Sequence, residues 1–124
     1  MSLRLAKGLM LALAFVLAPV TRADPPASAQ IEISFLLGYI EGSSCEFFRN
    51  GTWHDSQAAQ AHLRTKYKYL MARNLVHTTE DFIDRAATES SLSGQPYLVK
   101  CNGSGTVTSS QWLREELGRL RTFE

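Results

Sequence analysis

The side chains best suited to chemistry lie along one predicted helix in the middle of the chain. His62, Lys66, Tyr69 and Arg73 recur at spacings of three and four residues, which places them on one side of a helix. Arg49, in the preceding segment, extends this row of cationic groups. Such a surface suits an anionic partner or an acidic glycan, and we predict a binding site made of these five residues. The alternative is a solvated helix face that pairs with the acids of the next helix, Glu80, Asp81 and Asp84.

A second hypothesis for the same region is hydrolysis. The segment "SSLSG" at 90–94 places three serines before a glycine, and His54 or His62 could approach one of them in space. The nucleophile spacings G-x-S-x-G and S-x-x-K are absent from the sequence, and a serine-rich loop explains the segment without catalysis. No catalytic residue is therefore assigned, and a small hydrolase built on residues 54–62 and 90–94 is kept as an alternative.

The histidines and cysteines do not have the spacing of metal ligands. The sequence has 3 His and 2 Cys, but no C-x-x-C, H-x-x-x-H or H-E-x-x-H. We therefore predict no metal site and no cofactor.

The two cysteines are expected to form a disulfide. Cys45 begins one predicted strand and Cys101 ends another, and an N-terminal export signal, described below, places the chain where disulfides persist. We predict a Cys45–Cys101 bond that joins the two strands. The alternatives are two free thiols or a bridge between two molecules.

The elements that must position these groups are a hairpin, a further strand and several helices. Asn50-Gly51 lies between two alternating runs and is typical of a two-residue hairpin turn, which predicts a hairpin over 45–54. A helix then runs from about Ser56 to Arg73, capped by Asp55 or Ser56. A shorter helix follows Thr78 or Thr79. "YLVKC", 97–101, predicts a strand, and the last segment, from about Ser109, predicts a helix.

The first helix, over 31–41, is apolar around most of its circumference. Ile33, Leu36, Leu37 and Ile40 share one face, and Ile31, Phe35 and Tyr39 lie outside it. Such a helix is usually central in its core, but part of it could instead meet a second copy of the chain. We therefore predict an α+β fold, in which a small antiparallel sheet (hairpin 45–54 plus strand 97–101) packs against three or four α-helices. A structural homo-oligomer formed through the first helix is an alternative function.

The N-terminus has the order of a secretory signal peptide: positive residues, a short apolar run, then small residues. We predict a signal peptide over 1–23 (cleavage after Ala29 is the alternative), a flexible leader over 24–30, and a single domain over 31–124. The chain has 13 Lys and Arg against 12 Asp and Glu, and three of the basic residues lie within 1–23, which leaves a mature net charge of −2. This balance excludes a dedicated nucleic-acid binder. No transmembrane segment is predicted in the mature chain.

Two stretches of the chain resemble a known family. "FFRNGTWHDSQAAQAHLRTKY" and "TTEDFIDRAATESSLSGQPYLVKC" are similar to the YfeK-like family of small exported bacterial proteins, over about residues 35 to 120. The resemblance implies a periplasmic or secreted bacterial protein with a compact α+β fold, and it implies no reaction. We expect a binding or interaction module rather than an enzyme, whose partner is a protein or an anionic ligand of the cell envelope.

Overall fold

The computed structural model describes residues 24–123, so the predicted signal peptide lies outside the described part. The helices there are α1 (Ala27–Gly42), α2 (Ser56–Met71), α3 (Thr79–Ala86) and α4 (Ser109–Arg121). The strands are β1 (Glu46–Arg49), β2 (Thr52–His54), β3 (Leu98–Lys100) and β4 (Val107–Thr108). The predicted α+β class, with an antiparallel sheet and several helices, is confirmed.

The sheet has the order β2-β1-β3-β4, and every neighbouring pair is antiparallel. Arg49 pairs with Thr52, so the predicted two-residue turn is present, and Asn50 and Gly51 have φ of 52° and 84°. Positive φ at both positions is what this turn needs, and Asn and Gly reach it at low cost. Strand β4 was not predicted, because a two-residue strand is too short to show alternation.

Three helices begin at side chains that accept a hydrogen bond from a free backbone amide of the first turn. Asp55 accepts from the Ala58 amide at 2.8 Å and starts α2 where the sequence predicted. Thr78 and Asp81 form a reciprocal capping box at α3. Thr108 caps α4. These local bonds fix where each helix begins and so which side chains face the sheet.

Helix α1 lies at the centre of the core. Its predicted face, Ile33, Leu36, Leu37 and Ile40, is fully buried. The helix begins at Ala27 rather than at Ile31, so residues 27–30, which were predicted to be flexible, belong to it. Ala29 is buried in this extra turn, and an alanine adds little to an apolar periodicity, so the sequence pattern did not predict the turn.

The opposite side of α1 is open to solvent. Ile31 and Phe35 are 69% and 41% exposed, whereas Tyr39 stacks on Trp112 with 4.6 Å between the ring centroids. Two exposed apolar side chains, Ile31 and Phe35, are therefore available for the oligomer interface predicted for residues 31–41. That interface stays a prediction. None of the helices within residues 24–123 has the length and apolar character needed to cross a membrane.

The predicted disulfide links the residue before β1 to the residue after β3, the two central strands of the sheet. Cys45 and Cys101 are bonded, and their Cα atoms lie 4.3 Å apart across β1 and β3. Tyr97 and Val99 face the core on the same side of β3, as the alternation predicted. The bond therefore fixes the register that carries Arg49 and Tyr97 to the same side of the sheet.

Candidate functional site

A groove of about 380 Å³ opens where α2, α3, the hairpin tip and the loop before β3 meet. Volumes of this size are typical of small-molecule sites. Its lining comprises Arg49, Asn50, His62, Thr65, Lys66, Tyr69, Leu70, Arg85, Ser90, Ser91, Leu92 and Tyr97. Four of the five predicted binding residues, Arg49, His62, Lys66 and Tyr69, are therefore brought together in one depression.

The floor of the groove is a hydrogen-bonded cluster centred on Tyr97. The Lys66 ammonium donates to the Tyr97 hydroxyl at 3.0 Å and to the Glu89 carbonyl oxygen at 3.1 Å. His62 Nε2 lies 3.1 Å from the same hydroxyl. Since Tyr97 is only 6% exposed, its hydroxyl is a fixed point that holds Lys66 and His62 in place.

The protonation states of this cluster follow from burial and from neighbouring cations. Burial, together with the charges of Arg49 and Lys66 and a smaller effect of His54, lowers the pKa of His62 to about 4. The ring is therefore neutral at pH 7, and its Nε2 can accept the hydroxyl proton of Tyr97 while that oxygen accepts from Lys66. Burial also lowers the pKa of Lys66, against the opposing charge of Glu89. Positive charge in the groove then comes from lysine and arginine alone.

The cations of the groove form no ion pair within the described residues, although the Glu89 carboxylate, which does not line the groove, acts electrostatically on Lys66. Among residues 24–123, Arg49, Lys66 and Arg85 take part in none of the ion pairs, and no Asp or Glu lines the groove. The guanidinium groups of Arg49 and Arg85 also make no hydrogen bond to residues within this range, so both keep their full donor capacity. A site with three cations and no lining acid attracts an anion.

The acids that the alternative interpretation assigned to this face bind elsewhere. Asp84 pairs with Arg114 of α4, and Glu80 pairs with Arg121 at 2.6 Å. Asp81 accepts from the amides of His77 and Thr78, which lowers its pKa. The helix face is therefore not paired with Glu80, Asp81 and Asp84, contrary to that interpretation.

Arg73 does not line the groove, unlike the other residues predicted with it. It lies beyond the last residue of α2, where its guanidinium stacks on the Tyr69 ring, 3.5 Å from the centroid, and donates to the Tyr69 carbonyl oxygen at 3.2 Å. The helical spacing placed Arg73 in the row because it assumed one more half-turn of helix. Its contact with the groove is through Tyr69.

The turn at 90–95 forms one rim of the groove and is closed by its own hydrogen bonds. Ser90 Oγ accepts from the amides of Leu92 and Ser93, and the Gly94 amide donates to the Ser90 carbonyl oxygen at 2.9 Å. Gly94 has φ of 72°, which glycine adopts without strain. Ser93 Oγ donates to Asn50 Oδ1 at 2.7 Å and ties this turn to the hairpin tip.

The serines of this turn have structural partners, which bears on the hydrolase hypothesis. Ser90 is 4% exposed and caps the turn, and Ser93 binds Asn50. Ser91 lines the groove beside His62, but no hydrogen bond joins a serine to His62 within the described residues, where Nε2 faces Tyr97. The geometry therefore offers no serine–histidine pair. Nor do three or more His, Cys, Asp or Glu within residues 24–123 group as metal ligands.

Four important residues of the groove were not predicted as part of the binding site, and two of them, Ser91 and Leu92, lie in the segment 90–94 that was named only for the hydrolase alternative. Arg85 comes from α3, Leu92 and Ser91 come from the turn, and Tyr97 immediately precedes β3. The periodicity of α2 carries no information on what packs beside it. The one usable signal was the alternation of the predicted strand 97–101, which puts Tyr97 on the same side as Val99 and Cys101, since a buried tyrosine hydroxyl usually has a polar partner.

The comparisons with known proteins agree with the family resemblance. The chain is 36% identical over 76 residues to "Uncharacterized protein YfeK" of Salmonella typhimurium. That match covers 60% of this chain and 62% of the relative, so it spans less than two thirds of the relative's length. No solved structure matches the chain.

A family model matches almost all of the described residues. It is described as "Family of unknown function (DUF5329)", and it covers residues 27–121, from the first turn of α1 to the last residue of α4. The resemblance to a YfeK-like family of unknown function, predicted from the sequence, is thereby confirmed. The protein belongs to the DUF5329 family of unknown function.

Proposed function

We propose that this protein is an exported binding module that holds an anionic ligand in the groove between α2, α3 and the hairpin tip. The ligand's oxyanion lies between the Arg49 and Arg85 guanidinium groups and above the Lys66 ammonium. Guanidinium groups bind carboxylates and phosphates through two parallel hydrogen bonds, and an ammonium adds a third positive charge.

One observation carries the proposal: three cations line one groove that contains no carboxylate. Outside the groove, within residues 24–123, Lys100, Arg114, Arg119 and Arg121 have an acid partner, whereas Arg64, Lys68 and Arg73 have none and lie outside this depression. Gathering three unpaired like charges costs electrostatic free energy in the unliganded protein. A bound anion removes that cost.

Export to the periplasm or beyond the cell supports an envelope ligand. Export is itself inferred from the N-terminal order of positive, apolar and small residues and from the disulfide within the fold. The anionic groups met in that compartment are phosphates and carboxylates of glycans and lipids, and both fit a pair of arginine forks.

The test is an NMR titration of the protein with methyl phosphate, a small dianion. We expect saturable shifts of the backbone amides around Arg49, Lys66 and Arg85. The variant that combines Arg49→Gln with Arg85→Gln should bind at least about tenfold more weakly, because it loses two charge-assisted contacts. Neither arginine side chain makes a hydrogen bond or an ion pair within residues 24–123, so the substitutions should leave the fold unchanged.

The matched control combines Arg64→Gln with Lys68→Gln. Both residues are exposed on the opposite side of α2, and the control changes the net charge by the same amount. If the control weakens binding as much as the groove variant, the attraction is a diffuse effect of net charge and the proposal is wrong. Shifts that scatter over the surface and do not saturate would also contradict it.

A further inference from the structure

We infer that the groove takes an amphiphile: one molecule with a phosphate-like anionic head and an apolar tail, in which the head lies against Arg49, Lys66 and Arg85 and the tail lies against Leu92 and Tyr69. This inference rests on the proposed function and adds the second half of the ligand. It is carried by two exposed side chains of the groove: Leu92, and Tyr69, whose ring also stacks with the Arg73 guanidinium.

Leu92 is the clearest of these side chains. It is 93% exposed although it lines the groove, and Tyr69, which lines the same groove, is 56% exposed. An exposed leucine is common on a protein surface, but this one is held in place. The Ser90 side chain, the Ser90–Gly94 bond and the Ser93–Asn50 bond fix the turn that presents it.

The charges and the apolar surface lie on different parts of the same groove. Lys66 is anchored at the floor by Tyr97 and Glu89, whereas Leu92 belongs to the rim. A fully hydrated anion would leave the leucine in water and gain nothing from it. A molecule with an alkyl chain next to its charged head covers both, and each buried methylene contributes about 0.8 kcal/mol in general.

The occupant is a single small molecule rather than a protein segment. The groove is about 380 Å³, which lies in the range of small-molecule sites, and its twelve lining residues are fewer than the roughly 20–30 on each side of an ordinary protein interface. The charged donors of the groove are the side chains of Arg49, Lys66 and Arg85, which belong to three different elements. Neither edge strand of the sheet, β2 or β4, contributes a lining residue, so a peptide strand would find no sheet edge to pair with there.

The experiment compares three probes on the wild type by NMR titration and calorimetry: methyl phosphate, octyl phosphate and octyl glucoside. Octyl phosphate should bind at least about tenfold more tightly than methyl phosphate, the gain expected from covering about two methylenes. Octyl glucoside, which has the same chain on a neutral head, should bind more weakly than octyl phosphate by a similar factor.

The variant that tests the tail site is Leu92→Ala. It should reduce the preference for octyl over methyl phosphate to about threefold and leave methyl phosphate binding unchanged. The control is Ile31→Ala, which shortens an exposed aliphatic side chain on α1, outside the groove, and should keep the full preference. Because Leu92 is almost fully exposed, its replacement should not affect folding.

The outcomes separate this inference from the proposed function. Binding of methyl phosphate with no gain for octyl phosphate would overturn the amphiphile and leave the anion site standing. No binding of either phosphate would overturn both. An unchanged preference in Leu92→Ala, or equal binding of octyl glucoside, would refute the two-part site. Retention on phosphatidylglycerol vesicles without binding of monomeric octyl phosphate would show a membrane surface to be the partner instead.

Discussion

Replacing Tyr97 by Phe removes a single hydroxyl from the floor of the groove. The ring, 6% exposed, keeps its packing, but Lys66 loses its 3.0 Å bond and His62 Nε2 loses its 3.1 Å contact. Intramolecular hydrogen bonds contribute about 1 kcal/mol each, and those to a charged group contribute more. Both partners are only partly buried and can regain water, so we expect a loss of about 1–2 kcal/mol of unfolding free energy.

Urea denaturation and thermal melting measure this loss. A decrease of about 1–2 kcal/mol corresponds to a melting temperature lower by about 5–10 °C in a domain of this size, with an unchanged slope of unfolding free energy against urea. The matched control is Tyr67→Phe on α2. That ring is half-buried against Phe82 and its hydroxyl makes no hydrogen bond within residues 24–123, so the change should stay below about 0.5 kcal/mol.

Two results would refute the reasoning. If Tyr97→Phe is no more destabilising than Tyr67→Phe, the hydroxyl does not hold the cluster together. A histidine titration by NMR gives the second check. Because burial and the charges of Arg49 and Lys66 lower the pKa of His62, it should stay near 4 in Tyr97→Phe. A return to about 6.5, the usual histidine value, would mean that the hydrogen bond was the cause.

Further predictions concern the disulfide and pH. Replacing Cys45 and Cys101 together by Ala should cost about 4 kcal/mol, from a loop closed over a separation of 56 residues, and an unchanged urea midpoint would contradict this. The pKa of His62 is about 4 when folded against 6.5 in the unfolded chain, so between these values the unfolded state binds more protons. Stability should therefore fall as pH drops from about 6.5 to 4, by at most about 1–2 kcal/mol because the ring is partly exposed. His62→Gln should flatten that slope, whereas an equal slope in both proteins would exclude His62 as its source.

The sequence predicted best where structure depends on near neighbours. The hairpin turn needs positive φ at two adjacent residues, and Asn50-Gly51 supplies it. The cap at Asp55 is likewise a bond to an amide three residues away. The start of α1 was predicted at Ile31, four residues too late. The turn that begins at Ala27 contains the buried Ala29 but no pattern of large apolar residues.

The site was predicted in part, for an equally physical reason. Periodicity along α2 correctly put His62, Lys66 and Tyr69 on one side of a helix. It gave no information on Arg85 or Leu92, whose approach to α2 depends on how α3 and the turn at 90–95 pack. It also included Arg73, because a helical spacing does not say where the helix ends.

The linear sequence alone predicted the hairpin turn, the presence of the helices apart from their exact ends, the buried face of α1 and, with free thiols and an intermolecular bridge as alternatives, the pairing of Cys45 with Cys101. Each of these follows from local hydrogen bonding, from side-chain periodicity or from there being only two cysteines. Tertiary packing alone decided that Arg49, Lys66, Arg85 and Tyr97 converge. They come from four segments whose distances apart are set by the docking of α2 and α3 beside the sheet, and no local interaction encodes that arrangement.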